Sequence, residues 1–320
     1  MKLEYHIIIN SNSGSGNGKR TGEELLAVLK EKQETFTSYF TTYAGEELEI
    51  TRKLAENTLI DWEEGKDYER FPLLVVLGGD GTLHQVINAL DGVSKKIPVG
   101  YVPGGSGNDF ARGVGIVRND VRAAFEQIQS VVKPKEINVL HFEEKNKNFN
   151  GSFVNNFGIG IDASVVQATN ESASKKTLNR YKLGSLSYVF TMLGVLFKQK
   201  TFPVTVTTTD GSQTFDKTFL ATTTNHPYFG GGVAILPGAD AHQKQVDLIL
   251  IEKKNWLQVF RLLAALPEGK HLAHPDTHCF SGDWIKLTTK TLQYGQIDGE
   301  GIDQQEFDLT FTPETRYIWF

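Results

Sequence analysis

The sequence predicts an α/β fold joined to a β fold, with an open parallel α/β sheet first and an antiparallel β-sandwich after it. Up to about residue 135, short apolar runs alternate with segments of helical periodicity, the order that gives a parallel sheet. Beyond that point, segments rich in Thr, Val and aromatic residues alternate apolar and polar side chains, which is typical of strands with one solvated face. Because 320 residues are long for one core, we expect two domains, residues 1–135 and 136–320.

The elements of the first part follow one another as strands and helices in turn. Residues 73–77 form a continuous apolar run bounded by Pro72 and Gly78, which indicates a central strand buried on both faces. From Leu83 to Leu90, apolar residues recur at i, i+3, i+4 and i+7, on one face of a helix. The same patterns predict strands over 6–10 and 99–102, and helices over 25–29, 48–59 and 121–128, the last with Asn119 as its cap.

The second part is predicted to consist mainly of strands. We expect these over residues 202–209, 214–224, 246–251, 284–289 and 307–311. Two helical patterns interrupt them, over 183–197 and 256–266. The first carries an apolar stripe that we expect to pack against the sandwich rather than to face lipid, made of Leu183, Leu186, Phe190, Leu193 and Phe197.

Composition narrows the class of protein. The net charge of −5 argues against a general nucleic-acid-binding protein. The single cysteine, Cys279, excludes an internal disulfide framework, favours a reducing compartment and is expected to be a small buried residue. The eight histidines show no metal-ligand spacing, and His271 and His274 are expected to be solvated.

Apolar runs in the sequence are short. None has the length of a signal peptide or of a membrane span. We therefore expect a cytoplasmic protein that contacts the inner surface of the membrane only transiently, as a peripheral protein. Its oligomeric state stays open, with a homodimer among the alternatives.

The strongest chemical signal is Gly78-Gly79-Asp80-Gly81-Thr82, here called loop B, between the buried strand and the amphipathic helix. Glycines allow the backbone to approach a bulky anion, and the amides at the helix N-terminus favour phosphate. Asp80 is unusual beside an anion unless it binds a metal ion or positions a substrate group. Taken alone, the loop is also compatible with a plain glycine-rich turn in which Asp80 caps the helix.

Two further glycine-rich loops weaken that simpler interpretation. Loop A (residues 10–16) follows the first predicted strand, and loop C (residues 103–109) follows another. In open α/β sheets ligands bind beyond the carboxyl ends of the strands, so three such loops at corresponding ends predict one phosphate-binding cleft. None of them matches the Walker pattern, which ends in Gly-Lys-Ser/Thr.

A pair of carboxylates lies late in the chain. Asp298 and Glu300 flank Gly299 in a glycine-rich, hairpin-like segment, here called the acidic hairpin (residues 298–300). Such carboxylates could act as a general base toward an attacking hydroxyl. On the residues alone, an exposed acidic turn is the preferred interpretation.

Taken together, the motifs resemble the diacylglycerol kinase catalytic-domain family, the bacterial lipid kinases related to sphingosine and ceramide kinases. The resemblance covers nearly the whole chain and rests on six motifs in order, at residues 10–16, 78–82, 103–112, 153–163, 229–232 and 298–300. It implies an NAD-kinase-like nucleotide-binding domain, a β-sandwich domain and an active site between them. It also implies that the acidic hairpin is a catalytic element rather than a plain turn.

The resemblance further implies a reaction and a set of site residues. ATP is the implied donor, Mg²⁺ the cofactor, and a lipid hydroxyl the acceptor, with diacylglycerol preferred, so that phosphatidic acid is the product. Asp80 is the implied Mg²⁺ and catalytic residue, and Asp298 or Glu300 the base, with Asp298 favoured for the direct role and Glu300 either orienting it or exchanging roles with it. The implied nucleotide-binding residues are Asn10, Ser11, Asn12, Ser13, Gly14, Thr41, Gly79, Asp80, Gly81, Thr82, Leu83, His84, Gln85, Ser106, Asn108 and Asp109.

The sequence also departs from the family pattern. Gln243-Lys244 stand where the family has Asp-Gly of a structural Mg²⁺ site, so we expect that site, near Asp240 and Asp247, to be missing or altered. His84-Gln85 stand where bacterial lipid kinases often have Asn-Glu, which leaves the acceptor open, a sphingosine-type lipid included. An NAD kinase and a non-catalytic nucleotide or lipid sensor are the alternatives.

Overall fold

A computed structural model describes residues 1–160 and 199–320, so the predicted helix over 183–197 and its apolar stripe lie outside the described residues. The first part contains four strands: β1 (Lys2–Ile9), β2 (Thr35–Phe40), β3 (Arg70–Gly78) and β4 (Val99–Pro103). They pair in parallel in the order β2-β1-β3-β4, which confirms the predicted parallel sheet.

Helices cover both faces of this sheet. Their bounds are Ser13–Gly16 (α1), Gly18–Glu31 (α2), Glu46–Asn57 (α3), Asp80–Ala89 (α4), Asp109–Val114 (α5) and Val121–Ser130 (α6). Alternate residues of β3 enter two apolar layers: Leu74 and Val76 the layer with α3 and α4, and Leu73, Val75 and Leu77 the layer with α2 and α6. Because both faces are covered, the strand has the continuous apolar run seen in the sequence.

The cap of α6 differs from the prediction. Asp120 is the N-cap, and its Oδ1 accepts a hydrogen bond from the Ala123 N–H at 2.9 Å. Asn119 instead has φ of 64° and makes the left-handed turn that precedes the helix. The prediction of Asn119 as the cap was therefore wrong by one residue.

The second part is mostly antiparallel. Its elements are β5 (Lys135–Glu144), β6 (Phe149–Phe153), β7 (Asn156–Gly160), β8 (Phe202–Thr208), β9 (Gly211–Thr224), β10 (Tyr228–Phe229), β11 (Val233–Ala234), β12 (Val246–Glu252), α7 (Trp256–Ala265), β13 (Thr277–Gly282), β14 (Ile285–Thr289), β15 (Gln293–Ile297), β16 (Glu300–Gln305) and β17 (Asp308–Trp319). Phenylalanine rings in edge contact dominate its core, among them Phe142, Phe153, Phe157 and Phe311. This confirms the predicted β-sandwich.

Strand β17 connects the two parts. It pairs antiparallel with β5 along almost its whole length, and its end pairs in parallel with β4 through Ile318 and Trp319. The Trp319 ring is fully buried against Phe71 and Trp62, and its Nε1–H donates to the Ile128 carbonyl at 3.0 Å. The last strand of the chain therefore completes the first sheet.

Two predictions about single residues were wrong. Cys279 is exposed on β13 rather than buried. His271 is 1 % exposed and hydrogen-bonds the Ile235 carbonyl at 2.8 Å, so it belongs to the packing under α7 rather than to a solvated loop. Within residues 1–160 and 199–320, no helix combines the length and the apolar character needed to cross a bilayer.

Candidate active site

Loops A, B and C meet at one edge of the parallel sheet. The Gly104 N–H donates to the Gly78 carbonyl at 2.7 Å, which joins loops C and B. The Asn10 side-chain amide donates to Thr82 Oγ1 at 2.8 Å, which joins loops A and B. All three loops follow the carboxyl ends of parallel strands, as the sequence predicted.

The contact between these loops requires glycine at two positions. Gly14 has φ of 58°, and a Cβ there would lie 2.6 Å from the Gly104 carbonyl oxygen. A Cβ on Gly105 would lie 2.5 Å from Gly79 Cα. Any side chain would therefore push loops A, B and C apart, which gives these glycines a structural reason besides anion binding.

A cleft of about 630 Å³ opens over the loops. Ten of the residues predicted for nucleotide binding or catalysis line it, namely Asn10, Asn12, Ser13, Gly14, Gly79, Gly81, Thr82, Gln85, Ser106 and Glu300. The other lining residues are Tyr43, Ala44, Gly45, Glu47 and Gly105. The fold thus gathers most of the predicted site around one cavity.

The remaining predicted residues lie around the cleft rather than on its wall. The Leu83 side chain is fully buried in the apolar layer beneath α4, and Thr41 is buried at the end of β2. The Asn108 side chain bonds both the N–H and the carbonyl of Gly105, so it holds loop C together. Ser11 adjoins the lining residues of loop A.

Asp80 is the first residue of α4. One carboxylate oxygen, Oδ2, accepts the Asp109 N–H at 2.9 Å, while Oδ1 is buried and finds no hydrogen-bond partner among the described residues. Burial raises the pKa of this carboxyl to about 6, and the charges of Asp298 and Asp109 add to the effect. A buried, unpartnered carboxylate oxygen beside phosphate-type loops is a suitable ligand for a hard cation such as Mg²⁺.

Asp298 joins the acidic hairpin to α4. Its Oδ2 accepts hydrogen bonds from His84 Nδ1 at 2.9 Å and from the Val154 N–H at 2.8 Å. Its Oδ1 accepts the N–H groups of Asn155 and Asn156 at 2.8 and 3.0 Å. With four donors and a side chain only 1 % exposed, this carboxylate has few acceptor positions left for a substrate.

His84 is the other half of this pair. Burial of its imidazole opposes the charged form, but the hydrogen bond and the charge of Asp298 raise the pKa of His84 above its usual value. Its ring is 13 % exposed and also feels the charge of Glu300. The carboxylate of Glu300, in contrast, belongs to an exposed residue that lines the cleft.

A second connection between the two parts was not predicted. Asp109 Oδ2 accepts the Gly231 N–H at 2.7 Å, although the two residues are 122 positions apart. The neighbouring Arg112 guanidinium lies 5.3 Å from the Tyr228 ring, and a Cβ on Gly232 would lie 2.2 Å from its Nη1. Loop C is therefore fixed to the turn over residues 229–232, the motif to which the sequence assigned no role.

Glu47 is a further cleft residue that the sequence analysis missed. It lies in the first turn of α3, is 4 % exposed, and its Oε2 has no hydrogen-bond partner among the described residues. Burial raises the pKa of this carboxyl, and the charge of Glu300 adds to the effect. The sequence did contain a signal for this residue. Glu47 shares the buried face of α3 with Thr51 and Leu54, and a charged residue is rare on such a face.

The segment around Gln243-Lys244, where we expected the structural Mg²⁺ site to be altered, contains two carboxylates that are hydrogen-bonded within the protein. Asp240 Oδ1 accepts the His242 N–H at 3.0 Å, and Asp247 accepts hydrogen bonds from Gln245 and Ser281. Residues 1–160 and 199–320 contain no cluster of three or more His, Cys, Asp or Glu suited to a metal ion. The altered Mg²⁺ site at Gln243-Lys244 stays a prediction.

Comparison with known proteins defines the family. The diacylglycerol kinase catalytic domain matches residues 4–140, and the YegS C-terminal NAD kinase beta sandwich-like domain matches residues 155–318. The chain therefore belongs to the diacylglycerol kinase catalytic-domain family of lipid kinases.

Similarity to individual relatives extends over whole chains. The Bacillus subtilis protein named "Putative lipid kinase YtlR" is 29 % identical over 315 residues, 97 % of each chain. A Bacillus subtilis diacylglycerol kinase is 26 % identical, over 92 % of this chain and 88 % of its own. The fold is shared with a structure titled "putative diacylglycerol kinase" from Bacillus anthracis, with a TM-score of 0.71, 19 % identity, and coverage of 99 % and 96 %.

Proposed function

We propose that the protein is an ATP-dependent lipid kinase that transfers the γ-phosphoryl group to a lipid hydroxyl, with diacylglycerol as acceptor and phosphatidic acid as product. The observation that carries the proposal is the position of the acidic hairpin. Through Asp298 and His84 it lies against the helix that begins at loop B, so it supplies carboxylates from the second domain to the phosphate end of the cleft.

The cleft suits the triphosphate of ATP. The start of α4, with the dipole of this helix, favours phosphate, and Thr82 and Ser106 supply hydroxyl groups. Its lining contains no Lys or Arg among the described residues. Mg²⁺, when bound with ATP, would neutralise charge on the transferring phosphoryl group, and Asp80 Oδ1, which has no partner among the described residues, would be its ligand.

Glu300 fits the role of the general base better than Asp298. The two carboxylate oxygens of Asp298 already accept three backbone N–H groups and an imidazole, so few of their acceptor positions remain for the substrate hydroxyl. Glu300 is exposed and lines the cleft. We therefore assign proton removal from the acceptor hydroxyl to Glu300, and the positioning of the hairpin and of His84 to Asp298, the reverse of the division that the sequence favoured.

The choice of diacylglycerol rests on the relatives, because the Bacillus subtilis protein that is 26 % identical to this chain is named a diacylglycerol kinase. A lipid acceptor and a cytoplasmic supply of ATP fit an enzyme that visits the inner membrane surface from the cytoplasm and serves phospholipid synthesis. Such an enzyme must contact the lipid surface at least transiently.

The test is phosphoryl transfer by the purified full chain with labelled ATP and Mg²⁺. Diacylglycerol, sphingosine and ceramide are presented in mixed micelles, and NAD is supplied in solution. Labelled phosphatidic acid as the main product is the expected result. If only a sphingoid base is labelled, that lipid rather than diacylglycerol is the acceptor. Labelling of NAD alone would favour the NAD kinase alternative. Binding of ATP without phosphoryl transfer would favour the non-catalytic sensor.

A further inference from the structure

Glu47 is a buried carboxylate that the proposed reaction does not use. It is 4 % exposed, yet its residue borders the cleft, and Oε2 has no hydrogen-bond partner in the described parts of the chain. Burial raises the pKa of this carboxyl, and the N–H groups of Glu47 itself and of Gly45 oppose the shift only in part. A buried acceptor without a donor is costly, so an unpartnered oxygen on a residue that lines a binding cleft indicates a ligand that donates a hydrogen bond.

The position of Glu47 indicates which part of a nucleotide it meets. The phosphates belong to loops A, B and C, where glycine-rich backbone and the start of α4 attract anions. The wall at the start of α3 has no glycine-rich loop of this kind, and the carboxylate of Glu47 itself disfavours a phosphate beside it. This wall is therefore left to the nucleoside.

Within the nucleoside, the sugar fits Glu47 better than the base does. Tyr43, on the same wall, is 49 % exposed and offers an aromatic ring suited to stacking on a purine. The ribose lies between the phosphates and the base in any nucleotide, and its hydroxyls are hydrogen-bond donors of the kind that Asp and Glu bind in other nucleotide sites.

We propose that Glu47 Oε2 accepts a hydrogen bond from a ribose hydroxyl of the bound nucleotide and makes the cleft selective for ribonucleotides. This inference depends on the proposed function in one respect only, namely that the cleft binds a nucleotide. Without that hydroxyl, the buried carboxylate has no donor. A deoxynucleotide should therefore bind about 10- to 100-fold more weakly than ATP, the range for a hydrogen bond to a charged group.

The test measures nucleotide binding to the full chain with Mg²⁺ and without a lipid acceptor. ATP, 2′-deoxy-ATP, 3′-deoxy-ATP and inosine triphosphate compete against a fluorescent ATP analogue, on the wild type and on Glu47→Ala and Glu47→Gln. We expect the wild type to discriminate against one or both deoxy analogues but not against inosine triphosphate. In Glu47→Ala, ATP should bind only as tightly as the deoxy analogue, so the discrimination disappears.

Glu56→Gln is the matched control, because Glu56 is an exposed residue of the same helix, and it should behave as the wild type does. Equal wild-type affinity for ATP and both deoxy analogues would overturn the inference, as would discrimination that survives in Glu47→Gln and Glu47→Ala. Discrimination against inosine triphosphate alone would assign Glu47 to the base and also overturn it. If no nucleotide binds to the wild type, the proposed function fails first.

Discussion

His84 Nδ1 lies 2.9 Å from Asp298 Oδ2, and this contact joins residues 214 positions apart in the chain. It attaches the acidic hairpin of the sandwich to the helix that begins at Asp80. The same carboxylate also accepts three consecutive backbone N–H groups, those of residues 154–156. The buried Asp298 side chain therefore helps to set the distance between the hairpin and the phosphate loops.

Replacing Asp298 with Asn should disturb both stability and turnover. Asn tolerates the φ of 49° at this position, so the change removes the charge and one acceptor oxygen without backbone strain. We expect a loss of roughly 2–4 kcal/mol in the free energy of unfolding, because buried donors lose their partner. The pKa of His84, followed by NMR, should fall in the variant, since Asp298 no longer raises it. Asp210→Asn, in an exposed turn, is the control, and an unchanged His84 titration would contradict the positioning role.

Glu300→Gln should separate chemistry from binding. If Glu300 takes the proton of the acceptor hydroxyl, kcat should fall by about 100-fold or more, while the Kd for ATP and the free energy of unfolding stay near the wild-type values. The neighbouring exposed Asp303→Asn on β16 should leave kcat unchanged. Normal kcat in Glu300→Gln would mean that the base is elsewhere.

Asp80→Asn should inactivate the enzyme without weakening the fold. The pKa of Asp80 in the folded protein, about 6, lies above its ordinary value of 3.8, so the contribution of this group to stability is complete below about pH 4 and lost as pH rises through 6. Asn imitates the protonated form, and the variant should be more stable by roughly 1–3 kcal/mol at pH 7, with the difference vanishing near pH 4. Urea titrations at several pH values, paired with turnover assays, measure both effects. A variant that unfolds more easily at pH 7 would argue for a structural role.

Gly105→Ala should damage nucleotide binding through the backbone. The added Cβ would lie 2.5 Å from Gly79 Cα, so loops B and C would have to separate. We expect the Kd for ATP to rise by about 10-fold or more, with a stability loss of roughly 1–3 kcal/mol from overpacking. Gly238→Ala, where a Cβ meets nothing within 4 Å, is the control. Wild-type affinity in Gly105→Ala would show that the loops need not touch.

His226 should make the fold sensitive to acid. It is fully buried between Asn155 and the Tyr228 N–H, and burial lowers its pKa to about 4. The contribution of His226 to the free energy of unfolding is complete above the pKa of 6.5 that His226 has in the unfolded chain. It is lost as pH falls toward 4, because only the unfolded chain takes up the proton in that range. The loss is about 3 kcal/mol. His226→Gln should remove this pH dependence, whereas exposed His242→Gln should retain it; equal slopes in both variants would contradict the assignment.

Local patterns predicted the parts of the molecule that local physics determines. The apolar run of β3, the amphipathic face of α4 and the turn between them are contiguous in the sequence, and the structure has them as predicted. The meeting of loops A, B and C followed from a rule about parallel sheets. Edge strand β2 was missed because its residues are mostly half-exposed and show no clear alternation.

The missed site features depend on contacts between distant residues. The pairs His84–Asp298 and Asp109–Gly231 have no local signal, since each partner alone is an ordinary polar or glycine residue. The length of β17 was underestimated because its central residues are polar and half-exposed, while pairing with β5 keeps them extended. The family resemblance supplied the acidic hairpin, but only the packing of Asp298 shows that its two carboxylates have different surroundings.

The position of β17 has a consequence for synthesis of the protein. A ribosome releases residues 1–135 long before Trp319, yet Trp319 fills the aromatic layer behind β3 and β4. Until then the nascent first sheet has an open edge at β4 and an unfilled space beside Phe71, both of which invite association with other chains. We expect a fragment of residues 1–135 to aggregate during expression, and chaperones to bind the unfinished chain until its last strand has emerged.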